Sequence, residues 1–598
     1  MKPSISTCIR PLRPLRAPIA AAALTCVALT SAWSREAEAC GGTFCDQGPN
    51  SMPVDQSGEN VIFVLDEGRV EAHIQIQYDP DTEAEAFAWV IPLQTLPEFS
   101  VGSDLFFDQT LAATVPVYGL TTSNSCSSAP TDSDSGGGFT GGFVSSDDSG
   151  APPDDPGPEV VHRETVGAFD VVVLQGGTSQ EVMTWLADNG YQQDPAAEPI
   201  LEAYLSEGFL FAAIKLTHAP GEDAVHPIVL TMSTDEACIP LRLTQIAATQ
   251  DMDVRAFFFG ESRVVPTNYK HVEVNPLEID WMNLAANYED VITLAVDSEG
   301  AEGRAFVTEF AGDDVVMNPS QVYNGWYSEA FAGLGDSPVG IMDILAAQEL
   351  YYCIEDFGSC ITRHPLIEGL LMSYVPVPAG VDPFEFYSCV SCFEAQLDLD
   401  AWDAASFAAD FESRIVAPGK RAATIISEQR YVTRLYTTIS DHEMNEDPLF
   451  IQNPDLGEVS NIRNATRRLN CDGSAWMTLP DGTEVYMPSA GTWPDIYPDE
   501  MPWTMRVARG TPQGAMQAIV DNSDRIAELL ARWNQQAANG EETGGAESSN
   551  GDADGGASAD DPTGAKTSCA CDSRGGELPV VALGFAFGLL GWRRRRPA

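Results

Sequence analysis

The chain has 598 residues, 44% of them hydrophobic, and a formal net charge of -56. That length holds two or three compact domains with sizeable cores. Such a charge repels nucleic acid, which is not expected as a partner, and anionic lipid, and it favours solubility or the attraction of cations.

Lys2, Arg10, Arg13 and Arg16 precede an apolar run from Ala17 to Ala32, and Ala37-Glu38-Ala39 stands before Cys40. A basic start, an apolar stretch and an A-x-A site read as a secretory signal peptide over residues 1–39. Arg35, Glu36 and Glu38 separate the apolar run from Cys40, which argues against lipidation there. Residues 1–39 carry five Lys/Arg and two Asp/Glu, so their removal leaves -59.

Export turns the cysteines into a disulfide problem. Of thirteen, Cys8 and Cys26 leave with the signal, and Cys569 and Cys571 belong to the far C-terminal end. Nine remain: Cys40, Cys45, Cys126, Cys238, Cys353, Cys360, Cys389, Cys392 and Cys471. An odd count requires one free, lipidated or intermolecular thiol. Spacing suggests Cys40–Cys45, Cys353–Cys360 and Cys389–Cys392 as local loops and leaves the connectivity open.

From Asn60 the pattern is β. Val61 to Leu65, a turn at Asp66-Glu67-Gly68, and the alternation from Val70 to Tyr78 predict a hairpin. Ala86 to Ile91 predicts a third strand stopped by Pro92. Residues 123–158, rich in Ser, Gly, Asp and Pro, predict a disordered insertion. Phe169 to Leu174 predicts a buried strand, turned by Gly176-Gly177. Thr178 and Glu181 then form a capping box for a helix with Val182, Trp185 and Leu186 on one face. Asn189-Gly190 ends that helix. A short helix is expected over Glu202–Glu207, and strands over Phe209–Leu216, Ile228–Met232, Val254–Phe259 and Val291–Val296. Helices are expected over Ile341–Tyr352 and Trp402–Phe411. Thr511-Pro512 is expected to open the last helix, with Ile519, Ile526, Leu530 and Trp533 as its apolar stripe.

The sharpest chemical candidate is Cys389-Val-Ser-Cys392. A C-x-x-C pair exchanges disulfides when one thiol is activated by a helix N-terminus or a nearby cation. Its neighbours here are Phe384, Glu385, Tyr387 and Phe393, so a structural disulfide is favoured. Zinc would need a second ligand pair, with Cys353, Cys360 and His364 the only set nearby in sequence. The seven histidines, His73, His162, His218, His226, His271, His364 and His442, are scattered. Asp441-His442-Glu443 is not H-E-x-x-H, and Ser337 lacks a G-x-S-x-G setting. No cofactor and no catalytic residue is expected.

Cys40-Gly-Gly-x-x-Cys45, Trp185-Leu-x-x-Asn-Gly-Tyr191, Leu210 to Lys215, Ile239-Pro-Leu-Arg242, Tyr431 to Tyr436 and Asp447-Pro-Leu-Phe450 together resemble the DUF2330 family. The resemblance runs from about Cys40 to Asn470. It implies a bacterial envelope protein and supplies no catalytic residue. At the other end, Cys569 and Cys571 precede a 15-residue apolar run, Leu578 to Trp592, and the block Arg593, Arg594, Arg595, Arg596. As a helix the run is about 22 Å long, short against a bilayer core of roughly 30 Å. The arginines favour the cytoplasmic side. This tail resembles the myxobacterial C-terminal sorting signal. That resemblance implies processing near Cys569 or Cys571 by a sorting protease, and attachment to the envelope membrane.

The expected fold is α+β, mainly antiparallel sheet with helices covering one side, in two or three subdomains. The expected organisation is a signal peptide (1–39), a body (40–535), an acidic Gly-rich linker (536–567) and an anchor ending in a short hydrophobic helix (568–598). Two functions compete: an exported, surface-anchored envelope protein with a non-catalytic binding or structural role, and a secreted thiol-redox enzyme using Cys389 and Cys392.

Overall fold

The computed structural model describes residues 56–75, 88–124, 158–191, 195–216, 226–246, 248–313, 317–354 and 359–540. All of them lie in one compact unit, Met1–Gly544, and none in the second, Gly545–Ala598. The expected signal peptide, Cys40, Cys45, Cys126, residues 125–157 of the insertion, and the tail with Cys569, Cys571 and Arg593–Arg596 lie outside the described residues.

The strands are β1 (Gln56–Asp66), β2 (Arg69–Gln75), β3 (Ala88–Leu93), β4 (Glu98–Val101), β5 (Val117–Asn124), β6 (Glu159–Val166), β7 (Phe169–Gln175), β8 (Leu210–Leu216), β9 (Ile228–Met232), β10 (Ala237–Cys238), β11 (Ala248–Gly260) and β12 (Val264–Pro266). They continue as β13 (Lys270–Val274), β14 (Ala305–Gly312), β15 (Tyr351–Ile354), β16 (Ser359–Thr362), β17 (Tyr431–Ile439), β18 (Leu449–Gln452), β19 (Ile462–Leu469), β20 (Ala475–Thr478), β21 (Glu484–Met487), β22 (Thr504–Arg509) and β23 (Gln517–Asp521). The helices are α1 (Asp104–Thr114), α2 (Ser179–Asp188), α3 (Ala197–Glu207), α4 (Leu241–Thr244), α5 (Tyr288–Val296), α6 (Pro319–Val322) and α7 (Glu329–Ala332). After them come α8 (Ile341–Ala347), α9 (Leu366–Tyr374), α10 (Pro383–Ser388), α11 (Ala404–Phe411), α12 (Ala417–Glu428) and α13 (Ser523–Ala538).

The fold is α+β. A ten-stranded sheet runs β23-β22-β13-β14-β17-β11-β1-β2-β9-β4. Its pairs are antiparallel except β1–β11 and β13–β14. A four-stranded antiparallel sheet, β3-β8-β7-β6, packs against one face of it. Why β1 and β11 sit centrally is visible in their side chains. Val61, Phe63 and Leu65 point into the core between the sheets, while Ile62 and Val64 point to the other side. In β11, Ala256 and Phe258 face one core, and Phe257 and Phe259 the other. Strands apolar on both faces belong inside a layered structure.

Helices cover both outer faces, not one. Helices α2 and α3 pack on the small sheet through Val182, Leu186, Leu201 and Tyr204. A helical lobe from Pro319 to Ile426 covers the opposite face of the large sheet. A third core joins β19–β21 to α13 through Met477, Val485, Ile526 and Trp533.

Several local expectations change. Pro92 does not end β3: it pairs with Phe211, and β3 is an edge strand whose outer side needs no ladder N–H. That strand lies in the small sheet, separate from the β1–β2 hairpin. Residues 291–296 form the end of helix α5, because Val291, Ile292, Ala295 and Val296 are all buried on one face. The helix from Ile341 stops at Ala347, where Glu349 turns left-handed (φ 58°) and the chain enters β15. Thr511-Pro512 opens no helix. Gly514 turns the chain, Ile519 lies on β23, and α13 starts at Ser523. That helix runs to Ala538, three residues into the expected linker, because Ala537 is buried in the third core. Ser123 and Asn124 belong to β5, paired with β19.

Candidate functional site

Two segments distant in sequence meet at one end of the space between the sheets. Residues 237–242 and 445–450 are joined by a short antiparallel ladder, Ala237 opposite Phe450 and Cys238 opposite Leu449. The Ile239 N–H donates to the Pro448 carbonyl (3.3 Å). Asn268 clamps the second segment, donating to the Asp447 carbonyl (2.7 Å) and accepting from the Leu449 N–H (2.8 Å).

Asp447 is the hub. Its Oδ1 accepts the Arg242 backbone N–H (2.9 Å), so a carboxylate 205 residues away serves the first turn of α4. Its Oδ2 accepts Arg242 Nε (3.0 Å), and the Tyr204 hydroxyl donates to both oxygens (3.0 and 2.9 Å). Arg242 in turn forks onto Glu207 (2.8 and 2.7 Å) and lies 4.0 Å above the Tyr204 ring. The bond from Arg242 holds the Glu207 carboxyl below its ordinary range. Burial pushes Asp447 upward, and its donors pull against that. Burial and the neighbouring Asp447 push the Tyr204 hydroxyl far up.

This network floors a polar bowl of about 340 Å³, rimmed also by Glu236, Asn268, Asn445 and Glu446. Behind it lies an inner cavity of about 60 Å³ between the sheets. Its walls include Glu59, Val61 and Phe63 of β1, Ala72 and Ile74 of β2, Ile91 and Leu93 of β3, and Leu230 and Met232 of β9. Gln94, Phe209, Glu236, Cys238 and Asp447 border both spaces and form the neck. Cys238 is the free cysteine among the described residues. Burial, with Asp447 and Glu236 beside it, pushes its thiol well above the ordinary range. The bowl therefore offers a protonated thiol, the mutually committed charges of Glu207, Arg242 and Asp447, and the carboxylate of Glu236.

The other described cysteines are elsewhere. Cys389 and Cys392 are bonded to each other (S–S 2.08 Å), between α10 and a 3-10 turn on the helical lobe. A serine hydroxyl lies beside the pair, Ser391 Oγ 3.5 Å from Cys389, and among the described residues no cationic side chain hydrogen-bonds to either sulfur. Cys360 and Cys471 are disulfide-bonded, and Cys353 stands opposite Cys360 across β15–β16. The described histidines are dispersed, and His218 lies outside the described residues. His226 accepts the Ala168 N–H at Nε2 (2.9 Å), and burial pushes it down to about 3. His271 meets Thr308 (2.8 Å) and is likewise pushed down to about 3, as is His364. Among the described residues no three His, Cys, Asp or Glu side chains gather as a metal site. No helix of the described residues is long and apolar enough to cross a membrane.

Sequence reasoning counted Cys238 among disulfide candidates and assigned no role to Tyr204, Glu207, Glu236 or Asp447. The available signal was the pair of x-Pro-Leu-x segments, 239–242 and 447–450, each with a charged residue at one end. Residues 35–337 match the model of a family described as an uncharacterized protein conserved in bacteria, DUF2330. The match includes Ile239–Arg242 and stops before Tyr431–Tyr436 and Asp447–Phe450, short of the Asn470 limit expected from the resemblance. No curated protein and no solved structure matches the chain.

Proposed function

The chain belongs to the DUF2330 family, and from that premise we propose that it is an exported envelope protein whose body is a non-catalytic binding domain, with its binding site at the Cys238 neck. The observation that carries the binding role is the apolar cavity behind a polar bowl whose ionisable floor is already internally paired. Pockets of this kind hold a ligand by shape and a few polar contacts. A thiol-redox role receives no support from the Cys389–Cys392 pair. Activation needs a cation or a helix N-terminus; the pair closes α10 and opens only a short 3-10 turn, and among the described residues no cationic side chain hydrogen-bonds to either sulfur.

Export and surface attachment rest on the A-x-A site and the Arg-terminated tail. Protease added to intact cells is expected to digest the body, and full protection would overturn export. Mass spectrometry of mature surface material is expected to lack Leu578–Ala598; recovery of the Arg593–Arg596 end would overturn processing. Binding is tested by ¹³C-methyl spectra of methionine-labelled protein titrated with butanol. The Met232 signal is expected to shift, and an unmoved signal at saturating alcohol would overturn the site.

A further inference from the structure

We propose that the neck selects a small organic ammonium ion with a short apolar arm, the ammonium at Glu236 and the arm in the inner cavity. This rests on the binding-site reading above and adds the class of ligand.

Charge argues for a cation. The bowl is bordered by Glu207, Glu236, Glu446 and Asp447 against one arginine, Arg242. Glu207 and Asp447 are consumed by Arg242, and Glu446 reaches Arg304 only at 3.7 Å. Glu236 borders both bowl and cavity, and its carboxylate meets no cationic partner among the described residues. The chain's -56 adds a long-range field of the same sign. Phosphates and carboxylates are disfavoured because Arg242, the one cation bordering the bowl among the described residues, already spends Nε on Asp447 and both terminal nitrogens on Glu207.

Size argues for a short arm. The cavity's roughly 60 Å³, at about 15 Å³ for each water-sized group, has room for about four of them. Its walls are mainly aliphatic and aromatic, with Glu59, Thr95 and Thr234 among them, so a chain of about three or four carbons fills it and a longer one does not enter fully. The protonated Cys238 thiol at the neck is a soft, weakly polar contact for that arm.

The test uses the full mature protein and calorimetric titration with methyl-, ethyl-, butyl- and octylammonium chloride, butanol and sodium butyrate. Affinity is expected to rise about fourfold per methylene up to butyl and to level off by octyl. Butylammonium is expected to bind more tightly than butanol, and butyrate most weakly. Glu236→Gln is expected to weaken butylammonium about threefold and leave butanol unchanged. Equal binding of butylammonium, butanol and butyrate, each shifting the Met232 methyl signal, would overturn cation selection and leave the binding site standing. Failure of all of them to shift that signal would overturn both.

Discussion

Cys238 and the Cys389–Cys392 pair border opposite faces of the same ten-stranded sheet. Cys238 opens onto the core between the sheets, and the pair belongs to the helical lobe with Phe386 and Val390. The contrast is between a local object and an assembled one. A three-residue separation closes the Cys389–Cys392 loop whatever the rest of the chain does. The setting of Cys238 exists only because residues 204, 242 and 447 converge. The conspicuous motif is closed into a local disulfide loop, and the isolated cysteine sits at the cavity.

The sharpest way to break this comparison is Asp447→Ala. It leaves Arg242 and the Tyr204 hydroxyl without their shared acceptor. We expect a loss of about 3–5 kcal/mol in urea unfolding, together with faster labelling of Cys238. Unchanged stability would mean the network does not hold the neck.

Acid probes the other face. Glu71 of β2 is 5% exposed at its side chain and pairs with His73 (3.0 Å) and with Arg421 of α12 (2.7 Å). Burial alone would raise its pKa, but the bonds from His73 and Arg421 prevail and hold it at about 2, below the usual 4.5. A depressed carboxyl stabilises the fold above pH 4.5, and that stability is lost as pH falls from 4.5 to 2. The contribution is about 3 kcal/mol. Hydrogen exchange along α12 is expected to accelerate over that window in the natural chain and to be less pH-dependent in Glu71→Gln. Identical pH profiles would break the assignment.

Removing the disulfide by Cys389→Ser with Cys392→Ser is expected to cost about 2 kcal/mol, as a very short loop constrains the unfolded chain little. A cost above that of Asp447→Ala would invert the comparison. The smallest effect is expected from Cys238→Ser, within about 1 kcal/mol. In the natural chain the Cys238 thiol should react with a disulfide reagent at pH 8 at least about tenfold more slowly than after unfolding, since burial and the adjacent carboxylates suppress the thiolate. A rate equal to that of the unfolded chain would place Cys238 in the open.

Where partners are close in the chain, the sequence is legible. The β1–β2 hairpin turns at Gly68 (φ 71°), as its spacing predicts. It failed at Val291–Val296, where an apolar run short enough for a strand is a helix lying on a sheet. It failed again at Pro92, because edge and centre positions look alike in one dimension. The candidate site was legible only as two unexplained Pro-Leu segments.

By itself the sequence determined the strand–Gly-Gly–helix unit from Phe169 to Gly190, since Thr178 and Glu181 cap α2 across three residues with no outside help. The apolar runs Val61–Leu65 in β1 and Ala256–Phe259 in β11 were legible as strands, and the fold buries both of their faces. Only the tertiary structure decided that Cys238 stays free and that Asp447, rather than any other of the many carboxylates, takes Arg242 and Tyr204. Those partners lie 205 and 243 residues away. A charge or hydroxyl specifies what kind of partner it needs, but which one it finds depends on how the two sheets close over each other.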